Sequence, residues 1–472
     1  MDKYDCFKEH IEISLEKFKE LDKKETIKLV SHLDADGICA AALMIKALNT
    51  DNRKYSVSVV QQLTLEVIEG LCKEPYPYFV FTDLGSGQLG FIAKYFVGKN
   101  VFILDHHEPE EVKLPGNIVH VNPHLFGIDG GVEISGSGVV YLFAKSLNRK
   151  IDDLAHIGIV GAIGDVQEGK EGFSKLNKEI LDTAVEKKKI KVLKGLRIFG
   201  AQTRPLHKSL EYCTDPYIPG VSGSESGAIQ FLQQIGIKVK NGNEFRKLVH
   251  LDEEEIKKLV AGIIMQRLNE DSPEDVLGNV YILCDEKKES PFRDAKEFST
   301  LLNACGRLEK ASLGIGACLG DKRNKEMALK NLTGYKREII NAMNWYKQNK
   351  GSKDIVSGTG YMIINAGSNI RASIAGTMAS IISKGNEFKE NTFILSMADM
   401  MNGYYKASLR FAGKSNGMDL RDIAKKIAEK VEGEAGGHMH AAGAMIKEER
   451  VEEFLKEAKL VLEKYGIEEV VD

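Results

Sequence analysis

Four short stretches set carboxylates and imidazoles directly behind apolar runs. They are SHLDADG, with His32, Asp34 and Asp36; FTDLGSG, with Asp83; FILDHHEP, with Asp105, His106 and His107; and GIVGAIGD, with Asp165. Burying such groups is costly unless a cation or a phosphate meets them. His32, Asp34 and Asp36 recur at every second residue, so in extended chain they point the same way, and Gly37 then lets the backbone turn. Mixed carboxylate and imidazole ligands suit Mn(II), whereas Mg(II) favours carboxylate and water and structural zinc favours thiolate. This many anionic ligands calls for two cations bridged by one carboxylate, and Asp83, alone at its strand end, is the candidate bridge. Two such cations lower the pKa of a water held between them and stabilise the attacking and leaving oxygens of a phosphoryl centre. No Ser or Cys nucleophile is then needed, and the product is a phosphomonoester.

Taken singly, each stretch has a plainer reading. D-x-D-G is more often a turn or a cap, and a His-His pair at a strand end is often a surface or core feature. Four such elements, each at the end of an apolar run in one series, carry the metal reading.

The elements that must position them follow a βα rhythm. TIKLVSH, YSVSVVQQL, YFVFTD, NVFILD and NIVHVN read as strands, with GICAAALMIKAL, LEVIEGLCK and LGFIAKYFV as helices between the first four. Near-continuous apolar strands alternating with amphipathic helices predict a parallel α/β sheet with helices on both faces, whose ligands sit beyond the carboxyl ends of the strands. Residues 1–24 predict a leading helix, and helical patterning continues to about residue 200. A less regular middle follows, with Pro205, Pro216, Pro219 and GVSGSESG. It predicts a mostly helical inserted or linking region over 201–350 that ends in a long helix. The composition of NKGSKDIVSG, 349–358, marks a boundary, and a smaller α/β domain is expected over 351–472, after a first domain over 1–200. The basic run EKKKIKVLKGLR, 186–197, reads as a strand-binding rim or, at least as readily, a solvated helix face. His120 and His124 are expected to be structural.

Composition sets bounds. The 472 residues include 43% hydrophobic and 28% charged side chains, which is ordinary for a globular chain. A net charge of −3 confines any nucleic-acid contact to a local basic groove. The acidic N-terminus does not read as a signal peptide, and no apolar run reaches membrane-spanning length. Seven cysteines without a C-x-x-C pair suggest reduced thiols in a cytoplasm.

In order, HLDADG, TDLGSG, DHHEP and GAIGD resemble the first four motifs of the DHH phosphoesterase superfamily. KASLR (406–410) with GGHMHAAG (436–443) resembles its accompanying DHHA1 domain. Within the superfamily the chain is most similar to the archaeal RecJ-like nucleases, including the GINS-associated nuclease. The resemblance implies that His32, Asp34, Asp36, Asp83, His106 and Asp165 bind two divalent cations, Mn(II) by preference with Mg(II) or Co(II) as substitutes. It implies that His107 contacts the phosphate while Asp105 holds the imidazoles. In the second domain it implies substrate contacts by His438 with Gly436 and Gly437, by Ser408 and Arg410, and by Arg371 at a helix start. His32 stands where bacterial members carry Asp, as in the archaeal branch, and no segment after GGHMHAAG is long enough for the OB-fold of bacterial RecJ. The implied activity is a Mn-dependent exonuclease on single-stranded DNA or RNA releasing 5′-mononucleotides in replication or repair, and the middle region favours a polymer. The alternatives are an oligoribonuclease, a cyclic-dinucleotide or pyrophosphate hydrolase, and a replication scaffold on the GINS complex.

Overall fold

The computed structural model describes residues 2–385, 388, 391–413 and 418–471, without the side chains of His438 and of 467–471. The chain divides into two compact units, Met1–Leu332 and Thr333–Asp472.

The first unit opens with α1 (Lys3–Lys19), whose Phe7, Ile11, Leu15 and Phe18 fall on one buried face. Then come β1 (Thr26–His32), α2 (Ala35–Thr50), β2 (Lys54–Val60), α3 (Leu65–Cys72), β3 (Tyr78–Thr82), α4 (Leu89–Tyr95), β4 (Asn100–Leu104) and β5 (Ile118–Val121). The five strands pair in the order β2-β1-β3-β4-β5, all parallel, so β3 is central. Its apolar run YFVFT is buried almost throughout because helices cover both faces. Helix α2 is buried nearly all round, and its alanines allow close packing on the sheet and on α5 (Gly136–Leu147) and α6 (Ala155–Gly164). The two-face α/β architecture is as the apolar strands predict.

After α7 (Lys175–Glu186) the basic run forms a strand, β6 (Ile190–Leu196). The helix-face reading of 186–197 is therefore corrected. Its partner is β9 (Leu277–Leu283), antiparallel from Ile190 opposite Leu283 to Leu196 opposite Leu277, and a pairing this distant in sequence leaves no local signal. Between the two strands lie α8 (Leu206–Glu211), α9 (Glu225–Gln234), the short pair β7 (Lys240–Asn241) and β8 (Glu244–Phe245), and α10 (Glu253–Gln266). These segments close over a core of their own around Leu206, Leu210, Phe231, Leu232, Leu259 and Ile263. The chain then returns through α11 (Ala295–Arg307), α12 (Ala311–Cys318) and α13 (Lys322–Gln348), whose Phe298, Leu301, Leu302, Ile315 and Ala328 join the core of the first sheet.

In the second unit, β10 (Ile355–Gly358), β11 (Tyr361–Asn365), α14 (Ala372–Ser383), β12 (Thr392–Asp399), β13 (Tyr404–Ala412), α15 (Leu420–Glu429), β14 (Glu434–His438), β15 (Ala441–Lys447) and α16 (Val451–Val471) follow. Their sheet runs β10-β11-β12-β13-β15-β14, with only β11 and β12 parallel. Leu395, Met397, Ala407 and Leu409 form a core with α15 and α16. Ser396 and Ser408, of opposite parity to those four, meet α14, through Ser396 Oγ donating to the Ala375 carbonyl and through Gly376 lying against Ser408.

Candidate metal centre

The carboxyl ends of β1, β3 and β4 gather the ligand-type residues. Asp34 caps α2 by accepting the Gly37 amide at 2.9 Å. A Cβ at Gly37 would stand 2.4 Å from the His32 carbonyl oxygen, so the turn needs glycine. Asp36, fully buried in the first turn of α2, meets the N-terminus of α5, where the Ser137 amide donates to its two oxygens at 3.1 and 3.2 Å and the Ser137 hydroxyl donates as well. Asp83 follows β3 in the left-handed region, with φ 60°, and a Cβ at Gly136 would collide with its carboxylate. Asp165 caps the C-terminus of α6.

Asp105, buried at the end of β4, is occupied by protein donors. It accepts the amides of His106 and His107 at 2.8 and 3.3 Å and that of Ser86 at 2.9 Å, and its Oδ1 lies 2.7 Å from His107 Nδ1. It thus holds one imidazole ring. The other, His106, places Nδ1 2.6 Å from the Gly130 carbonyl, which only an N–H can satisfy. That tautomer turns the lone pair of Nε2 toward Asp83 and Asp165, each 3.3 Å away, and Asp36 at 3.9 Å.

In the neutral ring that lone pair would face three carboxylates, an arrangement that either a proton on Nε2 or a bound cation relieves. Asp36, Asp83, His106 and Asp165 each offer a ligand atom within one cluster, His32, Asp34 and Asp83 form a second, and Asp83, Asp105, His106 and His107 form a third. Asp83 is common to all three. Both Asp83 oxygens, His32 Nδ1 and His106 Nε2 are buried without a hydrogen-bond partner, the condition expected of atoms aimed at metal. His32 Nδ1 lies 2.9 Å from an Asp34 oxygen and 3.6 Å from an Asp83 oxygen. The electrostatics agree. Burial, and then the Asp83 charge, push Asp36 up to about 7, while burial and then Asp36 push Asp165 well above the carboxylate range. Burial opposes protonation of His106, yet Asp83, Asp165 and Asp36 draw it well above its ordinary value. Such an excess of negative charge is what divalent cations would neutralise, and the donor set is of the type that holds them.

Sequence reasoning missed the residues behind these ligands. The Gln167 amide donates to the Gly130 carbonyl at 2.8 Å, and Asn177 donates to Gln167 at 2.7 Å, so a buried relay fixes the His106 ring. Between Asp165 and Gln167, Val166 sits at φ 58° and is exposed, an outlier for a β-branched residue that turns both neighbours inward. From α11, Asn303 accepts the Ala35 amide at 3.0 Å, and Gly306 abuts the Leu33 carbonyl. The one legible signal was ISGSG, 134–138, where Ser135 caps α5. His120 is buried with Nε2 2.9 Å from Ser86 Oγ, and the His124 amide donates to Asn122.

In the second unit, Ser408 and Arg410 lie on β13 beside α14. Arg410 donates to Ser380 Oγ at 2.8 Å and to the Leu409 carbonyl at 2.8 Å. Arg371 immediately precedes α14, and Gly436 lies across β15 from Ser408, since both pair with Gly443. Gly437, with φ 129°, adopts a conformation that favours glycine. The side chain of His438 lies outside the described residues.

Residues 26–161 match the model of the DHH family, N-terminal domain, residues 198–280 that of the DHH-CID domain and residues 358–464 that of the DHHA1 domain. The chain belongs to the DHH family. An uncharacterized protein of Methanocaldococcus jannaschii is 32% identical over 467 residues, covering 94% of this DHH chain and 97% of that protein. Among solved structures, CDC45 from Entamoeba histolytica superposes with a TM-score of 0.65 at 13% identity, covering 97% of this chain and 99% of that one. RecJ in complex with Mn2+ from Thermus thermophilus gives 0.57 at 15% identity, covering 97% of this chain and 55% of that one, so the chain spans about half its length. A manganese-bound exonuclease RecJ gives 0.54 at 16% identity, covering 98% and 94%. The fold is RecJ-like, and this DHH chain carries its ligand-type residues at the carboxyl edge of the sheet.

Proposed function

We propose that this protein is a two-metal phosphodiesterase that hydrolyses single-stranded DNA or RNA to 5′-mononucleotides, with Mn(II) as the preferred cation. The observation that carries the reading is that the candidate ligand clusters all share Asp83, with both Asp83 oxygens, His32 Nδ1 and His106 Nε2 buried without a hydrogen-bond partner. His32 and Asp34 would hold one cation and Asp36, His106 and Asp165 the other, with Asp83 between them. Bound there, the cations would activate water and stabilise charge on the phosphoryl oxygens. The chain's own contribution is orientation. Gly130 and Gln167 set the His106 tautomer, Ser137 directs the Asp36 carboxylate, and Asp105 clamps His107 through Nδ1. To the Nε2 of His107 we assign contact with a phosphate oxygen. Ser408, Arg410, Arg371, His438 and the glycines at 436 and 437 are assigned to the phosphates of the substrate strand.

The folds of RecJ and CDC45 support a place in replication or repair, with the GINS complex as a candidate partner. The test is product analysis on single-stranded DNA and RNA labelled separately at each end, and on a dinucleotide, with Mn(II), Mg(II) or EDTA. Metal-dependent release of mononucleotides from long strands is the expected result and also gives the polarity. Cleavage of the dinucleotide alone moves the protein to the small-phosphate hydrolases. Absence of any cleavage leaves the GINS-bound scaffold.

A further inference from the structure

The helices α2 and α6 each carry ligand-type residues at one end and line a cavity at the other. Asp36 starts α2 and Lys46 and Thr50 lie near its end, about 15–20 Å away at 1.5 Å per residue. His156 and Ile157 start α6, and Asp165 caps its far end, about 13 Å away. The cavity at these distal ends has a volume of about 550 Å³, within the range of small-molecule sites.

Its lining is amphipathic and carries more cations than anions. Lys46, Lys150, Lys189 and Lys325 face it, against Asp153, Asp285 and Glu286. Lys189 pairs with Asp285 at 2.8 Å and Lys325 with Glu286 at 2.5 Å, while the cation nearest Asp153 is Lys187 at 4.0 Å, outside the lining. Lys46 and Lys150 are exposed and make no ion pair among the described residues. Leu154 and Leu319 supply an apolar side. Burial, and then the Lys189 charge, lower His156 to about 4, so it is a neutral imidazole at pH 7.

We propose that this cavity is a second ligand site, distinct from the metal centre, which takes a nucleoside monophosphate. The phosphate sits between Lys46 and Lys150 and the base lies against the apolar side, with the neutral His156 ring available to a base edge. The site is independent of what the metal centre hydrolyses.

The test is calorimetric titration of AMP into the full chain in EDTA, comparing the unaltered protein, the double variant Lys46→Glu/Lys150→Glu and Asp83→Ala. The expected result is one AMP per chain in both the unaltered protein and Asp83→Ala, and affinity about tenfold weaker or worse in the lysine variant. Both lysines are exposed, so the double variant should melt at an unchanged temperature. Loss of binding in Asp83→Ala with retention in the lysine variant would place AMP at the metal centre and overturn the proposal, as would no binding to the unaltered protein. Inorganic phosphate should bind more weakly than AMP, and equal affinity overturns the nucleoside assignment.

Discussion

Gln167 touches no cluster oxygen, yet it decides what His106 can do. Its amide and the Asn177 amide behind it hold the Gly130 carbonyl against Nδ1, leaving Nε2 as the ligand atom. Loss of such a support usually lowers metal affinity by about 10–100-fold, so Gln167→Ala should weaken Mn(II) binding by that factor with little change in far-UV circular dichroism; unaltered affinity would refute the relay. His120 is a second buried imidazole with a different consequence. Burial, partly offset by the Asp105 charge, lowers it to about 4, against about 6.5 in the unfolded chain. A histidine depressed by folding contributes no penalty above the unfolded value, and its destabilisation grows as pH falls from 6.5 toward 4, reaching about 3 kcal/mol. Metal-free protein should lose stability over that window more steeply than His120→Gln, and parallel curves would show that His120 is not the group responsible. The ligand-type residues were legible because each stands at or just behind the end of an apolar run, three of the runs being strands and the fourth, before Asp165, the helix α6. Ser137, Gln167 and Asn177 were not, because they are ordinary polar residues whose roles depend on partners brought close only by the fold.

At the scale of elements, the parallel sheet was legible from the runs TIKLVSH, YFVFTD and NVFILD, whose unbroken apolar character needs cover on both faces. The β6–β9 pairing was not, since Ile190 and Leu283 meet across a long intervening segment. That pairing forms a neck, with the Arg197 amide donating to the Val276 carbonyl at 2.9 Å, and the segment between has its own core. Joining Arg197 to Val276 through an Asn-Gly turn should therefore leave the first sheet folded, with Mn(II) affinity unchanged and activity on a simple aryl phosphodiester retained. Loss of cooperative melting in the shortened chain would mean that the module helps to build the metal centre. Helix α11 must be kept in that experiment, because Asn303 and Gly306 brace the loop that carries His32 and Asp34.

Over the whole molecule, the four ligand stretches and the GGHMHAAG stretch pointed to one family, and the matches at 26–161 and 358–464 agree. The middle was harder to read because its prolines and glycines mark irregularity without saying what packs with what; the match at 198–280 supplies its domain type. No helix among the described residues is long and apolar enough to cross a membrane. The central claim is that six side chains hold two cations with Asp83 between them, and calorimetric titration of metal-free protein with Mn(II) tests it most directly. We predict two Mn(II) per chain in the unaltered protein, with both sites severely weakened in Asp83→Ala although that chain, relieved of a buried carboxylate, melts in EDTA at or above the unaltered temperature. A single Mn(II) per chain, or two retained at full affinity in Asp83→Ala, would contradict the account.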